Sequence, residues 1–212
     1  MTSLPPFSLS DVSALEPWML ASGIVVCIAL VTALQLQDPK PRRRRERRER
    51  RGAPWDPNAP ILFYHRDDPY YEFTNFSPHA VEFEGKIYPT SEHLFQAHKF
   101  LPARPDLADR IRRTRSPRAA LEEATRLRRV QRRDWYDVNI AMMDVVLERK
   151  FTQDARLKAL LLDTGERELV EDSPVDSFWG CGADGHGRNE LGKALVRLRD
   201  KLRRRESRSR QR

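Results

Sequence analysis

The chain has 212 residues, enough for one globular domain of about 150 residues with additional terminal segments. Its formal net charge is +8, but the basic residues cluster in 40–51 and 201–212, which leaves residues 53–200 close to neutral. Nucleic-acid binding driven by overall charge is therefore excluded for the central region and stays open for the two basic segments.

The chain contains two cysteines, Cys27 and Cys181. They form no CxxC pair, and no histidine stands beside either at the spacing of a zinc site. The sequence therefore argues against a disulfide framework and a structural zinc ion, and we expect neither a metal nor a cofactor.

The N-terminal region contains a long apolar segment. Residues 18–36 run without a charge, close to the ~20 apolar residues that span a bilayer as a helix. No Lys or Arg precedes this segment and an arginine run follows it, so the positive-inside rule places the short tail 1–17 outside and the following domain in the cytosol. We predict a single-pass membrane protein; a buried helix in a cytoplasmic protein is the alternative.

Residues 37–60 combine the arginine run with Pro, Gly and Asn, which is typical of a solvated linker. Beside an apolar span, the arginines are interpreted as a topology determinant that also contacts anionic lipid headgroups. Nuclear import and contact with nucleic acid are the alternatives.

From residue 61 onward, short apolar runs, turns and amphipathic helical patterns indicate a folded domain. The predicted strands are Ile61–Tyr64, Ala80–Phe83, Lys86–Tyr88 and Glu168–Glu171, and the predicted helices are Thr90–Leu101, Pro105–Arg113, Ser116–Arg126, Asp134–Lys150, Asp154–Leu162 and Glu190–Arg203. Helices dominate and βαβ alternation is absent, which indicates an α+β, predominantly α-helical class. We place the domain at 61–202, followed by a basic tail at 203–212.

The helix predicted at 90–101 carries a polar stripe. Glu92, Gln96 and Lys99 fall within an arc of about 60° at 100° per residue, and most of the remaining surface is apolar. A solvated stripe is the common explanation, but it would expose the flanking Phe95 and Phe100. Because buried charge without a partner is costly, the pattern favours a helix that directs its stripe into a cleft.

A second cluster, Asp176–Gly182, combines an acidic residue with aromatic residues and glycines. Trp179 followed by Gly180 suits a pocket wall that a ligand can approach closely. At the start of the last helix, free backbone N–H groups beside Arg188 and Asn189 are suited to phosphate oxygens. A loop in which Asn189 caps the helix is an equally good alternative.

Two further aromatic features stand before and within the helical region. The loop Phe73–Ser77 places Asn75 between Phe73 and Phe76, and Trp135 begins the longest predicted helix. Such aromatic side chains are either part of the core or a stacking surface for a base.

Four segments of the chain carry short motifs in a distinctive order: Phe63–Phe100, Arg115–Ala120, Arg132–Phe151 and Val170–Leu202. The motifs are SEHxFQAxKF, a Trp, and DxxWG followed by GxNxLG. In order and spacing they resemble the YbiA-like, or NADAR, family of N-glycosidases. The resemblance runs from about Ile61 to Leu202, and the apolar span and both basic tails lie outside it.

The resemblance implies a mostly helical fold and hydrolysis of the N-glycosidic bond between a phosphorylated ribose and a base. Members of the family act on early riboflavin-pathway intermediates or remove ADP-ribose from modified guanine in nucleic acid. The expected partner is therefore a ribosylated small molecule or ADP-ribosylated nucleic acid. By motif, the catalytic candidates are Glu92 and Lys99, and the substrate-binding candidates are Asn75, Phe76, Gln96, Trp135, Asp176, Trp179, Gly180, Arg188 and Asn189. Arg188 stands where members often have Lys, which preserves the charge.

The resemblance also implies roles for the two catalytic candidates. A carboxylate at Glu92 stabilises an oxocarbenium-like transition state or activates water. Lys99 attacks C1 and forms a Schiff base if it is neutral, or holds a phosphate if it is charged. A non-catalytic module that binds ADP-ribose or an NAD derivative at a membrane is the alternative function, although it would not require both side chains.

Overall fold

The computed structural model describes Asp56 and residues 58–211. Its helices are α1 (Ser91–His98), α2 (Pro105–Arg112), α3 (Pro117–Arg126), α4 (Trp135–Gln153), α5 (Ala155–Leu162) and α6 (Glu190–Arg210), its strands are β1 (Ile61–Phe63), β2 (Val81–Phe83), β3 (Lys86–Tyr88) and β4 (Leu169–Glu171), and two 3-10 turns lie at Tyr71–Phe73 and Arg128–Val130. The predicted class is confirmed, because helices dominate and the strands are few and short.

The apolar segment predicted to span a membrane, residues 18–36, lies outside the described residues, as do the tail before it and most of the linker after it. Within the described part of the chain, no helix combines the length and apolarity that a bilayer crossing requires.

The four strands form two separate two-stranded sheets. β2 and β3 pair antiparallel around a two-residue turn, in which Glu84 and Gly85 both have positive φ, as tight hairpins require. β1 and β4 pair parallel, with Ile61 opposite Leu169 and Phe63 opposite Glu171. The parallel pair joins residues more than a hundred positions apart in the chain.

Helix α1 is the centre of the fold. All eight of its residues are buried, and it contacts α2, α3, α4, β2 and β3. The Thr90 hydroxyl caps its start by accepting a hydrogen bond from the His93 backbone N–H. Leu94 and Ala97 have no exposed surface, so the apolar side of the helix, away from the predicted polar stripe, lies in the core.

The structure shortens the helix predicted at 90–101, because α1 ends at His98. The Lys99 N–H donates to the Gln96 carbonyl and the Phe100 N–H to the Ala97 carbonyl, which tightens the last turn. Pro102 has no N–H and restricts the residue before it, so the helix cannot continue. Lys99 nevertheless keeps helical dihedral angles and stays on the stripe.

Two other helix predictions need correction. The helix predicted at Asp134–Lys150 is α4 and continues to Gln153, and its buried face includes the polar residues Asn139 and Lys150, which a search for apolar spacing passes over. Helix α6 continues to Arg210 rather than ending at residue 203. Its last turns form ion pairs with other parts of the domain, namely Lys158–Glu206, Arg205–Glu148 and Arg203–Glu166.

Lys150 fixes the loop Phe73–Ser77 to the core. Its Nζ donates to the carbonyls of Glu72 and Thr74, at 2.5 and 2.8 Å, and to the Ser77 hydroxyl at 2.7 Å. The side chain is almost fully buried, and this burial lowers the pKa of Lys150 to about 7. These three acceptors match the three donors of an ammonium group. The Lys150 side chain therefore anchors the loop to α4.

Replacing this anchor should destabilise the domain. Lys150→Met keeps most of the side-chain volume but removes three hydrogen bonds, and we expect the free energy of unfolding to fall by about 2–3 kcal/mol. Urea denaturation followed by circular dichroism measures the change. Lys201→Met is the matched control, since Lys201 pairs with Glu148 at the surface and should contribute less than about 1 kcal/mol. Equal losses in the two variants would contradict the anchoring role.

Candidate active site

The polar stripe of α1 is buried rather than solvated. Glu92 is 6% exposed and Gln96 3%, and the Gln96 Nε2 donates to the Glu92 Oε1 at 2.7 Å. The Glu92 backbone N–H donates to the Asn75 carbonyl at 3.0 Å, so the loop held by Lys150 lies directly beside the start of α1. The alternative of a solvated stripe is therefore excluded.

Glu92 and Lys99 shift each other's titration within this buried environment. Burial raises the pKa of Glu92 to about 7, although the Gln96 hydrogen bond and the Lys99 charge oppose the shift. Burial lowers the pKa of Lys99 to about 8, although the Glu92 charge opposes it. The two groups therefore titrate close to neutral pH, the range in which proton transfer is efficient.

A cluster of aromatic rings packs beside Phe95 and Lys99. Phe95 of α1 lies between two tryptophans, with ring centroids 5.1 Å from Trp135 and 5.3 Å from Trp179. The Lys99 Nζ lies 5.5 Å from the centroid of the Trp135 ring. The rings bring together α1, the start of α4 and the loop before α6. Trp135 is 5% exposed and belongs mainly to the core, whereas Trp179 is only partly buried.

Two buried amide oxygens, one on α1 and one on the loop beside its start, lack hydrogen-bond partners among the described residues. The Asn75 Oδ1 and the Gln96 Oε1 are both fully enclosed and accept no hydrogen bond from the described residues. Buried acceptors are rarely left unpaired, so these two oxygens can accept from donor groups on a ligand. Phe76, the next residue on the loop, is instead 36% exposed, and Phe73 is in the core.

Asp176 organises the loop that carries Trp179. Its Oδ1 accepts from the backbone N–H groups of Phe178 and Trp179 at 2.9 and 2.8 Å. Its charge also contributes to raising the pKa of Glu92. Asp176 is thus both a loop-capping residue and a negative charge at the edge of the site.

The expectation of free backbone N–H groups at the start of the last helix is wrong. The N–H groups of Glu190 and Leu191 donate to the carbonyls of Phe178 and Trp179, since the loop packs directly over the helix end. Asn189 does not cap α6 through its side chain either. The phosphate site formed by these N–H groups is therefore not present. Asn189 does occupy the N-cap position of α6, where its backbone carbonyl accepts from the Lys193 N–H.

Asn189 and Gly180 have structural contacts. The Asn189 Oδ1 accepts from the Glu171 N–H and its Nδ2 donates to the Leu169 carbonyl, so this side chain holds β4. A Cβ on Gly180 would lie 2.7 Å from the Glu171 carbonyl oxygen, so the glycine permits close packing on β4. The structure thus places both residues against β4. It does not bring them together with the polar stripe of α1, and their contact with substrate stays a prediction.

Arg188 lies at the surface. Its guanidinium is 4.6 Å from the Phe178 ring centroid and pairs with the Glu190 carboxylate at 3.0 Å. Its side chain is 60% exposed. Its role toward substrate stays a prediction.

The sequence analysis missed the residues at the ends of β1 and β4. Glu171 ends β4, and Tyr64 follows β1, where its hydroxyl forms a hydrogen bond with Ser173. Burial raises the pKa of Glu171 to about 8, with further contributions from the charges of Asp176 and Glu92. The sequence could have indicated these residues, because they stand at the carboxyl ends of two short apolar strands. Such ends meet at one edge if the strands pair parallel.

Comparison with known proteins identifies the family. The model of the NADAR domain matches residues 62–203. The N-glycosidase YbiA of Escherichia coli is 41% identical over 142 residues, which covers 67% of this chain and 88% of YbiA. The N-glycosidase of Nostoc punctiforme is 39% identical over 144 residues, covering 68% of this chain and 92% of that protein.

A riboflavin biosynthesis protein of Vibrio vulnificus is 40% identical over 143 residues, and the chain spans only 38% of its length. The NMR structure of E. coli YbiA superposes with a TM-score of 0.64 at 39% identity, covering 70% of this chain and 88% of YbiA. The site geometry, the fold and these matches agree with the motifs in the sequence. The chain belongs to the NADAR domain family and is a hydrolase of N-glycosyl bonds.

Proposed function

We propose that the enzyme cleaves the bond between C1 of a phosphorylated ribose, or of ADP-ribose, and a nitrogenous base, with Glu92 and Lys99 acting at C1. The observation that carries this proposal is the buried Glu92–Gln96–Lys99 stripe with two tryptophans beside it. Early riboflavin-pathway intermediates and ADP-ribosylated guanine are the substrate classes considered. The curated names of the relatives, N-glycosidase and riboflavin biosynthesis protein, favour the former.

Glu92 is suited to the developing charge at C1. Cleavage of the ribosyl bond builds positive charge on the sugar, and a carboxylate in a site of low polarity stabilises that charge strongly. The Gln96 amide holds one carboxylate oxygen and leaves the other available. Glu92 also accepts a proton from the attacking nucleophile, because its pKa of about 7 is close to neutral.

Lys99 is suited to attack C1. Its lowered pKa, about 8, leaves a useful fraction of neutral amine near neutral pH. The amine forms a bond to C1 as the base departs, the ribose ring opens to give a Schiff base, and water hydrolyses this intermediate. A charged Lys99 that holds a phosphate is the competing role.

The base is proposed to lie against Trp179. This ring is partly exposed and held in place from both sides, by Phe95 and by the Asp176-capped loop. The unpaired Asn75 and Gln96 oxygens are available to sugar hydroxyls or to an amino group of the base.

Removing the Glu92 charge tests the proposal most directly. Glu92→Gln keeps the oxygen that accepts from Gln96, so the variant should fold normally and lose roughly 10²–10⁴-fold in kcat. The assay incubates the full chain with riboflavin-pathway ribosides, ADP-ribosylated guanine and simple nucleoside phosphates, and measures released base. Glu82→Gln, an exposed site on β2, is the control. Release of base by Glu92→Gln at the wild-type rate would refute the assignment.

The pH profile provides a second test. The carboxylate fraction of Glu92 increases as the pH rises through its pKa of about 7, so kcat/KM should rise over the same range. Asp176→Asn keeps the acceptor for the Phe178 and Trp179 N–H groups but removes a charge that raises this pKa. We expect its rising limb to move to lower pH, and that of the exposed control Asp137→Asn to stay in place. A limb that moves upward or not at all in Asp176→Asn would contradict the electrostatic argument.

Borohydride distinguishes the two roles of Lys99. Reduction during turnover should trap the ribosyl group on the wild-type enzyme, and peptide mass spectrometry should locate it at Lys99. The adduct should be absent from Lys99→Ala and present in Lys193→Ala, whose lysine is 57% exposed. If no adduct forms while the wild-type enzyme turns over, Lys99 is not the nucleophile and the phosphate-holding role is favoured.

A further inference from the structure

The backbone of Glu171 is fixed from three directions. It pairs with Phe63 in the parallel β1–β4 ladder. Its N–H donates to the Asn189 Oδ1 at 3.0 Å, and its carbonyl accepts from the Cys181 N–H at 2.9 Å. Few positions in a loop-rich region are held this firmly, so the direction of the Glu171 side chain is set by the fold.

The glycines of the last motif contribute to the same constraint. A Cβ on Gly180 would lie 2.7 Å from the Glu171 carbonyl oxygen, and a Cβ on Gly192 would lie 2.0 Å from the Leu169 carbonyl oxygen. Backbone cannot move aside as a flexible side chain can, so only glycine fits at these positions. Gly180, which the sequence analysis interpreted as part of a pocket wall, and Gly192 instead allow close packing against β4, which helps to fix its last residue.

The Glu171 carboxyl group itself has no partner among the residues that the structure describes. Across residues 58–211, no hydrogen bond or ion pair involves its side-chain oxygens, although the residue is partly buried. The charges that act on it are those of Asp176 and Glu92, both negative, and its own charge contributes to raising the pKa of Tyr64. The strand end that carries this carboxyl group packs, through Gly180, against the Asp176-capped loop that carries Trp179, since a Cβ on Gly180 would meet the carbonyl oxygens of both Glu171 and Asp176. Within the described residues, the fold does not use the carboxyl group itself for its own stability.

We propose that Glu171 is the general acid of this enzyme and donates a proton to the nitrogenous base as the C1–N bond breaks. The inference rests on the proposed function, and it deepens it by assigning the group that activates the leaving base. Neither the spacing of motifs nor the predicted role of Glu92 and Lys99 includes this residue.

The proton balance of the step is complete. The C1–N bond breaks and its electron pair goes to the base, which takes the proton of the Glu171 carboxyl group. The nucleophile, the Lys99 amine or water, forms its bond to C1 and gives its proton to Glu92. Transfer of that proton from Glu92 to Glu171 restores both carboxyl groups, and no oxidant, reductant or metal is required.

The environments of the two carboxyl groups explain why they take opposite roles. Glu92 lies near the Lys99 cation and accepts a hydrogen bond from Gln96, and both favour its ionised form. Glu171 faces two negative charges and no hydrogen-bond donor, so burial and repulsion raise its pKa to about 8. These contacts favour the charged form of Glu92 and the protonated form of Glu171, which is the order that an acid–base pair requires.

The test compares substrates that do and do not need a proton on the departing base. Glu171→Gln in the full chain should lower kcat by roughly 10²-fold or more on 5′-phosphorylated ribosides of neutral bases. Nicotinamide mononucleotide, whose pyridinium base leaves without a proton, should lose far less. Glu168→Gln, an exposed carboxylate three residues earlier, is the matched control and should behave as wild type on both. Equal losses of Glu171→Gln on both kinds of riboside, or no loss on either, would overturn the proposal.

A titration without substrate separates this inference from the proposed function. Infrared spectra of the wild-type protein should contain a protonated carboxyl band that disappears as the pH rises through about 8. The component that titrates near 8 should be missing from Glu171→Gln, which keeps the Glu92 component that titrates near 7, and both components should be present in Glu168→Gln. A Glu171 carboxyl group already ionised at pH 6 refutes the general-acid role even if ribosides are cleaved. Failure of the wild type to cleave any riboside, with the band present, refutes the proposed function instead.

Discussion

The burial of α1 on every side is the constraint on which the domain depends. A helix in contact with three other helices and a hairpin cannot send a polar stripe to solvent, so Glu92, Gln96 and Lys99 must find partners inside the protein. The stripe meets this demand partly by pairing with itself, through the Gln96–Glu92 hydrogen bond and the opposite charges of Glu92 and Lys99. The cost of burial is visible as displaced pKa values, and these are what make the stripe suited to catalysis.

The elements around α1 act as its supports. Lys150 of α4 donates hydrogen bonds to the Phe73–Ser77 loop. The Asn75 carbonyl of that loop accepts a hydrogen bond from the Glu92 backbone N–H. Phe95 joins Trp135 and Trp179, so α4 and the loop before α6 meet on the same helix. Interactions far from the reacting groups therefore determine how firmly the reacting groups are held.

Helix α6 and the loop that precedes it also support the site. The loop 177–180 covers the start of α6 with its carbonyls, which leaves no N–H groups of Glu190 and Leu191 for an anion. The same close packing lets Asn189 reach β4 and bind the backbone on both sides of Val170. A glycine-rich segment before a helix often binds phosphate, but here its glycines allow backbone to pack against backbone.

Patterns in the sequence were sufficient for the types of the helices and strands and for the family, because these depend on the spacing and order of residues along the chain. They also placed Glu92 and Lys99 on one face. They could not show that Lys150 and Asn139 are buried, that Pro102 and the tightened turn end α1 at His98, or that α6 runs to Arg210. The parallel pairing of β1 with β4 joins positions more than a hundred residues apart, and together with the Asn189 and Cys181 contacts it fixes the position of Glu171. The sequence determined which side chains the active helix carries; the tertiary structure decided which distant groups face them, since burial and charge depend on contacts that local spacing does not contain.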